Sequence, residues 1–237
     1  MDVETLPIKR RKLSDEVKER ILNRIHNDNL QPGDLLPSER ELMSSFGVGR
    51  PAIREAMQAL QNVGLITVRH GERPKVAEPS FDLVLEQLAL TMRHVLTHSD
   101  ASLNNLKEAR VLMETQIARL AAERRTHKDI NDLREILEKQ AAAEANSPDF
   151  MNLDGAFHER VARISGNAVL SSLTHAVFDW MARFHADMVS TPGMESLSLN
   201  EHQSIFEAIE AQDADAAAQK MADHLNRANT LYHQQNA

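Results

Sequence analysis

Four side chains in the second half of the chain have the types and the spacing of a metal site. Asp154 and His158 lie four residues apart, so on a helix they share one face. His202 and His224 follow in two later segments, 22 positions apart. One carboxylate and three imidazoles suit zinc, nickel, manganese or another divalent ion, and they leave coordination positions open for water or a ligand. The set predicts a divalent metal site, with zinc as the first choice.

Two other interpretations of these residues remain open from spacing alone. The chain has 11 histidines, and a single buried histidine is more often a hydrogen-bonded part of the core than a ligand. A metal with open positions can also activate water in a hydrolytic enzyme. His158-Glu159 begins like the zinc-protease motif H-E-x-x-H, but residue 162 is alanine. Because the chain also contains no nucleophile elbow, P-loop or G-x-G-x-x-G motif, we expect it not to be an enzyme.

Arg50 and Arg54 have the spacing of side chains that read DNA. They lie about one helical turn apart, opposite an apolar stripe formed by Ile53, Met57 and Leu60. Arginines near the start of a recognition helix bind phosphates or the O6 and N7 atoms of guanine in the major groove. Simple solvation of two surface charges is the alternative, and the surrounding elements decide between the two interpretations.

The segment around these arginines has the element order of a winged helix-turn-helix. Three amphipathic helices are predicted to begin near Ser14, Ser38 and Pro51. Two strands, predicted at residues 65–68 and 75–77, form a hairpin after the third helix. This order of helices and hairpin favours the DNA-binding interpretation of the two arginines.

Beyond Pro79 and Ser80 the sequence is helical throughout. Amphipathic segments alternate with short breaks, which indicates an antiparallel helical bundle. The segments are predicted at residues 81–96, 103–123, 129–145, 149–164, 168–188, 196–210 and 214–233. The predicted fold is therefore mostly α, with an N-terminal winged helix-turn-helix and a C-terminal all-α antiparallel helical bundle. The domains are expected at residues 1–13 (a basic arm), 14–79 (the DNA-binding head) and 80–237 (the effector-binding and dimerisation domain).

The charge distribution agrees with a DNA-binding N-terminal part. The net charge is −8, yet residues 1–79 hold 13 Lys and Arg against 12 Asp and Glu, whereas residues 80–237 hold 14 against 23. The acidity therefore belongs to the second domain and does not argue against a DNA-binding head. The basic run from Lys9 to Lys12 is interpreted as a DNA-facing arm, with a solvated tail as the alternative.

The composition also indicates the cellular compartment in which the protein is expected. The chain has no cysteine, which excludes disulfides and thiolate metal sites. No apolar stretch is long enough to span a membrane, and the first residues lack the apolar core of a signal peptide. We therefore expect a cytoplasmic protein without a membrane partner.

The N-terminal motifs closely resemble the DNA-binding head of GntR-family regulators, over most of residues 14–77. The acidic helical remainder resembles the effector domain of the FadR subfamily, called FCD. The metal-containing members of that subfamily carry Asp-x3-His and two later histidines, which match the four side chains described first. The motifs that carry the resemblance of the head are Pro32-Gly33-Asp34-Leu35-Leu36-Pro37-Ser38-Glu39-Arg40-Glu41-Leu42, Phe46-Gly47-Val48-Gly49-Arg50, Ile53-Arg54-Glu55-Ala56 and Gly64-Leu65-Ile66.

The resemblance implies a homodimeric repressor that binds double-stranded operator DNA. A small carboxylate or sugar-acid effector would bind at the metal-containing pocket and release the repressor from its operator. Arg110, which matches the pattern of the second FCD helix together with Glu114, is the candidate contact for an anionic effector. A metal-free pocket for a different sugar acid or organic acid is the alternative. The residues expected at the DNA are Arg10, Arg11, Ser38, Arg40, Gly49, Arg50, Arg54, His70 and Gly71.

Several residues depart from the common pattern of the family. Gly49 stands where relatives often have Ser or Thr, which removes a hydroxyl that could cap a helix or bind a phosphate. The wing contains Glu72-Arg73-Pro74, and Pro74 removes one strand donor. This wing, the turn at residues 48–51 and the region at residues 178–180 look most like the sialic-acid-responsive, NanR-like group. Sialic acid is therefore the first candidate effector.

Overall fold

Three short helices and a hairpin form the N-terminal unit of the chain, in the predicted order. In the computed structural model, which describes residues 11–69, 71–143, 147–189 and 194–234, this unit ends at Val84. Its elements are α1 (Leu13–Asn27), α2 (Glu39–Phe46), α3 (Arg50–Asn62), β1 (Ile66–Thr67) and β2 (Lys75–Val76).

The start of α2 is held by a capping box. The Ser38 hydroxyl accepts a hydrogen bond from the backbone N–H of Glu41, and the Glu41 carboxylate accepts one from the backbone N–H of Ser38 at 2.7 Å. At the other end, Gly47 adopts a left-handed φ of +66°, which glycine tolerates without a steric cost. Pro51 lies in the first turn of α3, where its missing N–H leaves no helical bond unmade. These signals confine the turn between α2 and α3 to residues 47–49.

The hairpin is shorter than its sequence predicts. Its second strand is hydrogen-bonded on both edges, to the first strand and to the segment before α2. β1 and β2 run antiparallel with Ile66 opposite Val76. The segment before α2 also bonds to this hairpin, because the backbone N–H of Leu36 donates to the carbonyl of Pro74 at 2.8 Å. Pro74 lacks a donor, but here it serves as an acceptor.

An apolar core joins the helices and the hairpin of this unit. The predicted stripe of α3 is buried, which leaves the opposite face of the helix, with its two arginines, in solvent. Apolar burial stabilises by roughly 25 cal/mol per Å², so this core supplies the rigid base for the arginine-bearing face. Its members are Val17, Ile21, Leu36, Leu42, Ile53, Ala56, Met57, Leu60 and Ile66.

The seven helices described after the hairpin form the predicted all-α unit. The first of them begins in the N-terminal unit, and the second unit starts inside it at Leu85. The helices are α4 (Phe81–His98), α5 (Asp100–Arg124), α6 (His127–Ala142), α7 (Pro148–Ile164), α8 (Ala168–Val189), α9 (Met194–Glu210) and α10 (Ala214–Gln234). None of the helices described has the length and apolar character needed to cross a membrane.

Four helices of the bundle begin earlier than the sequence analysis placed them: α7 by one residue, α6 and α9 by two, and α5 by three. α5 starts at Asp100 rather than at residue 103, and α6 starts at His127 rather than at residue 129. In both cases the residue just before the helix caps it: the hydroxyls of Ser99 and Thr126 each accept a backbone N–H from the first turn. The prediction treated these two residues as parts of breaks, although they are N-caps. α6 also ends at Ala142, three residues sooner than predicted.

The second unit encloses polar side chains within its apolar core. α5 packs along α10 and also contacts α7 and α9, so residues on these helices face a common interior. Buried polar groups are costly unless they have partners, and their presence here marks the interior as a site. They include Arg110, Glu114, Gln140, His158, His202 and His224.

Candidate functional site

Three imidazoles from three helices converge in the interior of the bundle. His158 comes from α7, His202 from α9 and His224 from α10, and none is more than 5% exposed. One potential ligand atom of each lies within 4.8 Å of those of the other two. The ring centroids of His202 and His224 are 4.8 Å apart. We call this group the histidine cluster.

Each imidazole of the cluster is oriented by a hydrogen bond at Nδ1. The distance between the accepting oxygen and Nδ1 is 2.5 Å for Glu114 and His158, 3.0 Å for Gln140 and His202, and 2.7 Å for Glu201 and His224. Because an oxygen acceptor requires the proton on Nδ1, the lone pair is left on Nε2. The Nε2 atoms of His158 and His202 are buried and have no hydrogen-bond partner among the residues described. Buried polar atoms are seldom left in this state, and a bound cation would satisfy them.

Asp154 reaches the same centre from α7, one turn before His158. Its Oδ1 lies 3.5 Å from Nε2 of His202, and its side chain is 13% exposed. The spacing of four residues therefore places the carboxylate and the imidazole on one face, as expected. The structure brings together all four residues that the sequence analysis proposed as ligands.

Burial keeps two imidazoles of the cluster in the neutral form. It lowers the pKa of His202 well below 6.5, and the neighbouring His224 and His158 lower it further. Burial also lowers the pKa of His224, although the hydrogen bond to Glu201 opposes the shift. A neutral imidazole is the form that ligates a metal.

Arg110 lies beside the cluster and pairs with Glu114, one turn further along α5. Arg110 Nε is 2.6 Å from Glu114 Oε1, and neither side chain is more than 4% exposed. The guanidinium carbon lies 4.3 Å from the ring centroid of Phe178, a ring that also neighbours His158. Burial disfavours the ionised Glu114, but the charge of Arg110 and the hydrogen bonds from His158 and Arg110 outweigh it and hold the pKa of the carboxyl well below its usual range. Glu114 therefore connects the candidate effector contact to the cluster.

A second carboxylate beside the cluster, that of Glu201, is held in the same way. Arg227 Nε lies 2.5 Å from Glu201 Oε1, and Arg227 Nη2 bonds to the other oxygen. Burial raises the pKa of Glu201, but the hydrogen bonds from His224 and Arg227 lower it below its usual range. His158 and His224 thus share an imidazole–carboxylate–guanidinium arrangement, whereas His202 meets the amide of Gln140.

The sequence analysis missed two of the residues that orient the imidazoles. Gln140 is 62 positions from His202, and Glu201 is 23 positions from His224. Contacts at such separations depend on how helices pack, and local spacing does not reveal them. One signal was present: Gln140 continues the apolar stripe of α6 after Leu133 and is buried.

A cavity of about 330 Å³ adjoins the cluster and is lined by residues of α7 and α8. It shares Asp154 and Phe178 with the surroundings of the cluster, and its lining also includes Glu159, His175 and Asp179. Its volume is at the lower end of the range for small-molecule sites. A ligand in this cavity would reach the carboxylate of Asp154.

The N-terminal unit presents three arginines on α2 and α3 to solvent. The side chains of Arg50 and Arg54 are 65% and 69% exposed, and Arg40 on α2 is exposed as well. Long, exposed guanidinium groups on a recognition helix can reach phosphates and the edges of bases. We call this surface the arginine face.

The other residues predicted at the DNA have more varied surroundings. Arg11 pairs with Glu19 on the surface at 3.1 Å. The hydroxyl of Ser38 is engaged in the capping box, and Gly49 is the N-cap residue of α3. Gly71 lies in the turn of the wing, and two predicted residues fall outside the described ranges, Arg10 and His70.

Family comparisons match both units of the chain. The model described as "Bacterial regulatory proteins, gntR family" matches residues 13–76, and the model of the FCD domain matches residues 105–227. The first range holds the arginine face and the second holds the histidine cluster. With the fold, these matches define a DNA-binding transcriptional regulator.

Curated relatives resemble the chain over nearly its whole length. The HTH-type transcriptional repressor NanR of Salmonella schwarzengrund (strain CVM19633) is 34% identical over 96% of this chain and 87% of its own. The repressor NanR of Escherichia coli (strain K12) is 33% identical over the same shares. The solved structure of Streptococcus agalactiae GntR matches with a TM-score of 0.57 and 27% identity, over 90% of this chain and 98% of that one. The chain belongs to the GntR family of bacterial regulatory proteins and is a DNA-binding transcriptional repressor with an FCD domain, not an enzyme.

Proposed function

We propose that this repressor is controlled by a hydroxyl-rich carboxylic acid bound beside a metal ion in the bundle, with sialic acid as the first candidate. The observation that carries the proposal is the convergence of three buried imidazoles, two of which have Nε2 atoms without hydrogen-bond partners in the part of the chain described. An effector changes operator affinity only if it binds the DNA-competent and DNA-incompetent states differently. We expect effector binding to release the protein from its operator.

The metal would be held by Asp154, His158, His202 and His224. Imidazole nitrogens and a carboxylate oxygen suit zinc, with nickel or manganese as alternatives. The hydrogen bonds at Nδ1 provide the orienting contacts that metal-binding histidines generally have. When bound, the ion would supply a positive charge and an open position for the oxygens of a carboxylate.

Metal analysis of the purified protein tests this site. The wild-type protein should contain about one divalent ion per chain, and His224→Ala should lose the ion while keeping its helical circular dichroism. His175→Ala is the matched control, because the imidazole of His175 is 60% exposed and lines the neighbouring cavity. This control should retain the metal. Wild-type protein that binds no ion after equilibration with zinc would reject the site and favour a metal-free effector pocket.

The acceptors of the cavity favour a sugar acid over a simple carboxylate. Asp154, Glu159 and Asp179 all line it. Arg163 pairs with Glu159 and Arg93 with Asp179, and a carboxylate has several lone pairs, so both can accept further hydrogen bonds from hydroxyl groups. The hydroxyl groups of a sugar acid would donate hydrogen bonds to Glu159 and Asp179. Its own carboxylate would then meet the metal, with Arg110 nearby.

A thermal-shift screen followed by an operator-release assay tests the effector. A ligand that binds the native state raises the melting temperature, so sialic acid should raise it more than acetate or propionate does. It should also lower the fluorescence anisotropy of a labelled operator duplex bound to the protein. Glu159→Gln should weaken the response without loss of metal, whereas Glu135→Gln, on an exposed part of α6, should not. Sialic acid that binds and leaves operator affinity unchanged is not the effector.

We infer that the arginine face contacts the operator, with Arg50 and Arg54 reading bases and Arg40 binding phosphate. If Arg54 pairs with a guanine, Arg54→Ala should weaken operator binding by about 1–3 kcal/mol. Arg119→Ala on α5 removes a partly exposed arginine of the other unit and is the control. An unchanged dissociation constant for Arg54→Ala would exclude the base-reading role. A repressor acts where its operator lies, so we place the protein in the bacterial cytoplasm.

We infer that the repressor is a homodimer and that α4 provides the contact between two copies. A row of exposed apolar residues along one face of a helix is typical of a helix–helix contact, and a two-fold axis would bring the same face of both copies together. Two heads related in this way would read two half-sites of an operator. The exposed apolar residues that share one face of α4 are Val84, Leu88 and Val95, at 48%, 46% and 37% exposure.

Light scattering of α4 variants tests the dimer. Leu88→Glu places a charge on the proposed contact and should shift the protein from dimer to monomer. Leu90→Glu is the control, because Leu90 is 75% exposed and lies on nearly the opposite side of the same helix. A monomeric wild-type protein, or a Leu88→Glu variant that remains dimeric, would contradict the proposed contact.

A further inference from the structure

One carboxylate lies between the two arginines of the recognition helix. Glu39 is the first residue of α2, and its Oε1 lies 3.3 Å from Arg54 Nε while its Oε2 lies 3.7 Å from Arg50 Nε. Both guanidinium groups are therefore approached on the Nε side. The terminal amino groups, which form the fork that binds guanine, are not the closest atoms in either contact.

Stability accounts for only part of the position of Glu39, because its carboxylate in the first turn of α2 favours the helix by about 0.3–1 kcal/mol. Its side chain is 34% exposed and those of its two partners are 65% and 69% exposed, and ion pairs between exposed groups are worth about 0–1 kcal/mol. The cap of α2 is made by Ser38 and Glu41, so it does not need this carboxylate. Glu39 also places a negative charge on the face that approaches DNA phosphates, which opposes affinity of every kind for DNA.

We propose that Glu39 determines specificity by positioning Arg50 and Arg54 for the bases of the operator. Held by the carboxylate, the two guanidinium groups lose less conformational freedom when they bind guanine edges. On unrelated DNA the same arginines can bind only phosphates. To do so, each arginine must give up its ion pair with Glu39, which reduces the gain in binding free energy. The carboxylate therefore weakens binding to unrelated DNA more than it weakens binding to the operator, which is how a repulsive element generates specificity.

The experiment compares Glu39→Gln with wild-type full-length protein on two duplexes of equal length. One duplex carries an operator selected from random DNA, and the other carries a scrambled version of it. Glu39→Gln keeps the size of the side chain and removes its charge. The affinity for the scrambled duplex should rise by about twofold to fivefold, while the operator affinity changes less, so the ratio between the two falls.

Glu16→Gln is the matched control. Glu16 is 52% exposed and pairs with Arg20 on α1, so its change removes an equal charge from the same unit without touching the arginine face. It should leave the ratio of the two affinities unchanged. Equal melting temperatures for the variants and the wild type establish that each protein is folded.

A double-mutant cycle measures the coupling free energy between Glu39 and Arg54 in operator binding. A general effect of charge on DNA affinity would not produce such a coupling. In the Glu39→Gln background, Arg54→Ala should cost less operator affinity than it does in the wild type, because the guanidinium is no longer positioned. The proposal would be overturned if the effects of the two substitutions on the free energy of operator binding were additive. It would also be overturned if Glu39→Gln raised the affinity for both duplexes by the same factor. A loss confined to one cytosine of the operator would also overturn it, because Glu39 would then read a base itself.

Discussion

Two imidazoles of the histidine cluster, His202 and His224, combine a lowered pKa with a fixed direction. Burial lowers the pKa of His202 and of His224, and a bond at Nδ1 directs each Nε2 away from its oxygen partner. The residue types and their spacing singled out the four residues in the sequence, and the resemblance to metal-containing FCD domains supported their assignment as ligands. The partners that set direction were not predictable in the same way, because Gln140 and Glu201 meet the cluster only through the packing of α6, α9 and α10.

The lowered pKa values predict how the metal-free protein responds to acid. Below the unfolded-state pKa of about 6.5 the unfolded chain binds protons at these histidines and the folded chain does not, so stability is lost as the pH falls. Urea unfolding in chelator, followed by Trp180 fluorescence, should show a lower free energy of unfolding at about pH 5.5 than at about pH 7.5.

Two variants isolate the source of this pH dependence. His202→Asn has no titrating group at that position and should flatten the dependence. His175→Asn removes an imidazole that is 60% exposed and should preserve it. A His202→Asn variant with the wild-type dependence would show that the buried imidazole is not its cause.

Gly49 provides a prediction about the turn before the recognition helix. It is the N-cap of α3, with φ at −73° and no side-chain cap, and a Cβ there would meet only Pro51 at 3.5 Å. Gly49→Ser fits this backbone and adds a capping hydroxyl, so it should stabilise the head by about 0.5–1 kcal/mol. Gly47→Ala is the contrast, because φ at position 47 is +66° and alanine is strained there. Urea titrations followed by circular dichroism check both, and a destabilised Gly49→Ser would contradict the geometry.

At the scale of the elements, helix caps explain both the successes and the errors of the sequence analysis. The capping box at Ser38 and the proline in the first turn of α3 are local signals, and the helices they announce begin where predicted. α5 and α6 also have local caps, but Ser99 and Thr126 lie beside residues that were interpreted as breaks. The order of elements in the head followed from such signals, whereas the packing of seven helices in the bundle did not.

The capping box of α2 predicts separate effects on the two units. Ser38→Ala removes the hydroxyl that accepts the N–H of Glu41 and should destabilise the head by about 1 kcal/mol. Circular dichroism, which reports on both units, should show earlier unfolding of part of the helical signal. Trp180, the only tryptophan of the chain, is buried in the second unit, so its fluorescence transition should not move. A shift of the Trp180 transition by the same amount would show that the two units unfold together.

At the scale of the whole molecule, the two units differ in net charge and in the candidate site that each carries. The head is close to neutral and carries the arginine face, whereas the acidic bundle carries the histidine cluster and its cavity. This division explains how a chain with a net charge of −8 belongs to a family of DNA-binding regulators. If the bundle binds the proposed effector, its signal to DNA must pass from one unit to the other, and a metal in the bundle would act on the head only through that coupling.

If the proposed metal is bound, its removal should affect the bundle first. A ligand that binds only the native state stabilises it by about 2.7 kcal/mol at a hundred times its dissociation constant. Chelation should therefore lower the temperature of the Trp180 transition, and added zinc should restore it. The His224→Ala variant should show the lower transition with or without zinc. A wild-type transition that is insensitive to chelator would indicate that no metal stabilises the bundle.

Sequencing the DNA that the purified protein selects from a random pool tests the central claim most directly. A dimeric repressor that reads DNA through Arg50 and Arg54 should enrich two half-sites related by two-fold symmetry, with guanine at fixed positions in each. The same selection with Arg54→Ala should lose the preference at one of those guanines. A pool without any enriched sequence, or one whose pattern is unchanged in Arg54→Ala, would contradict the account.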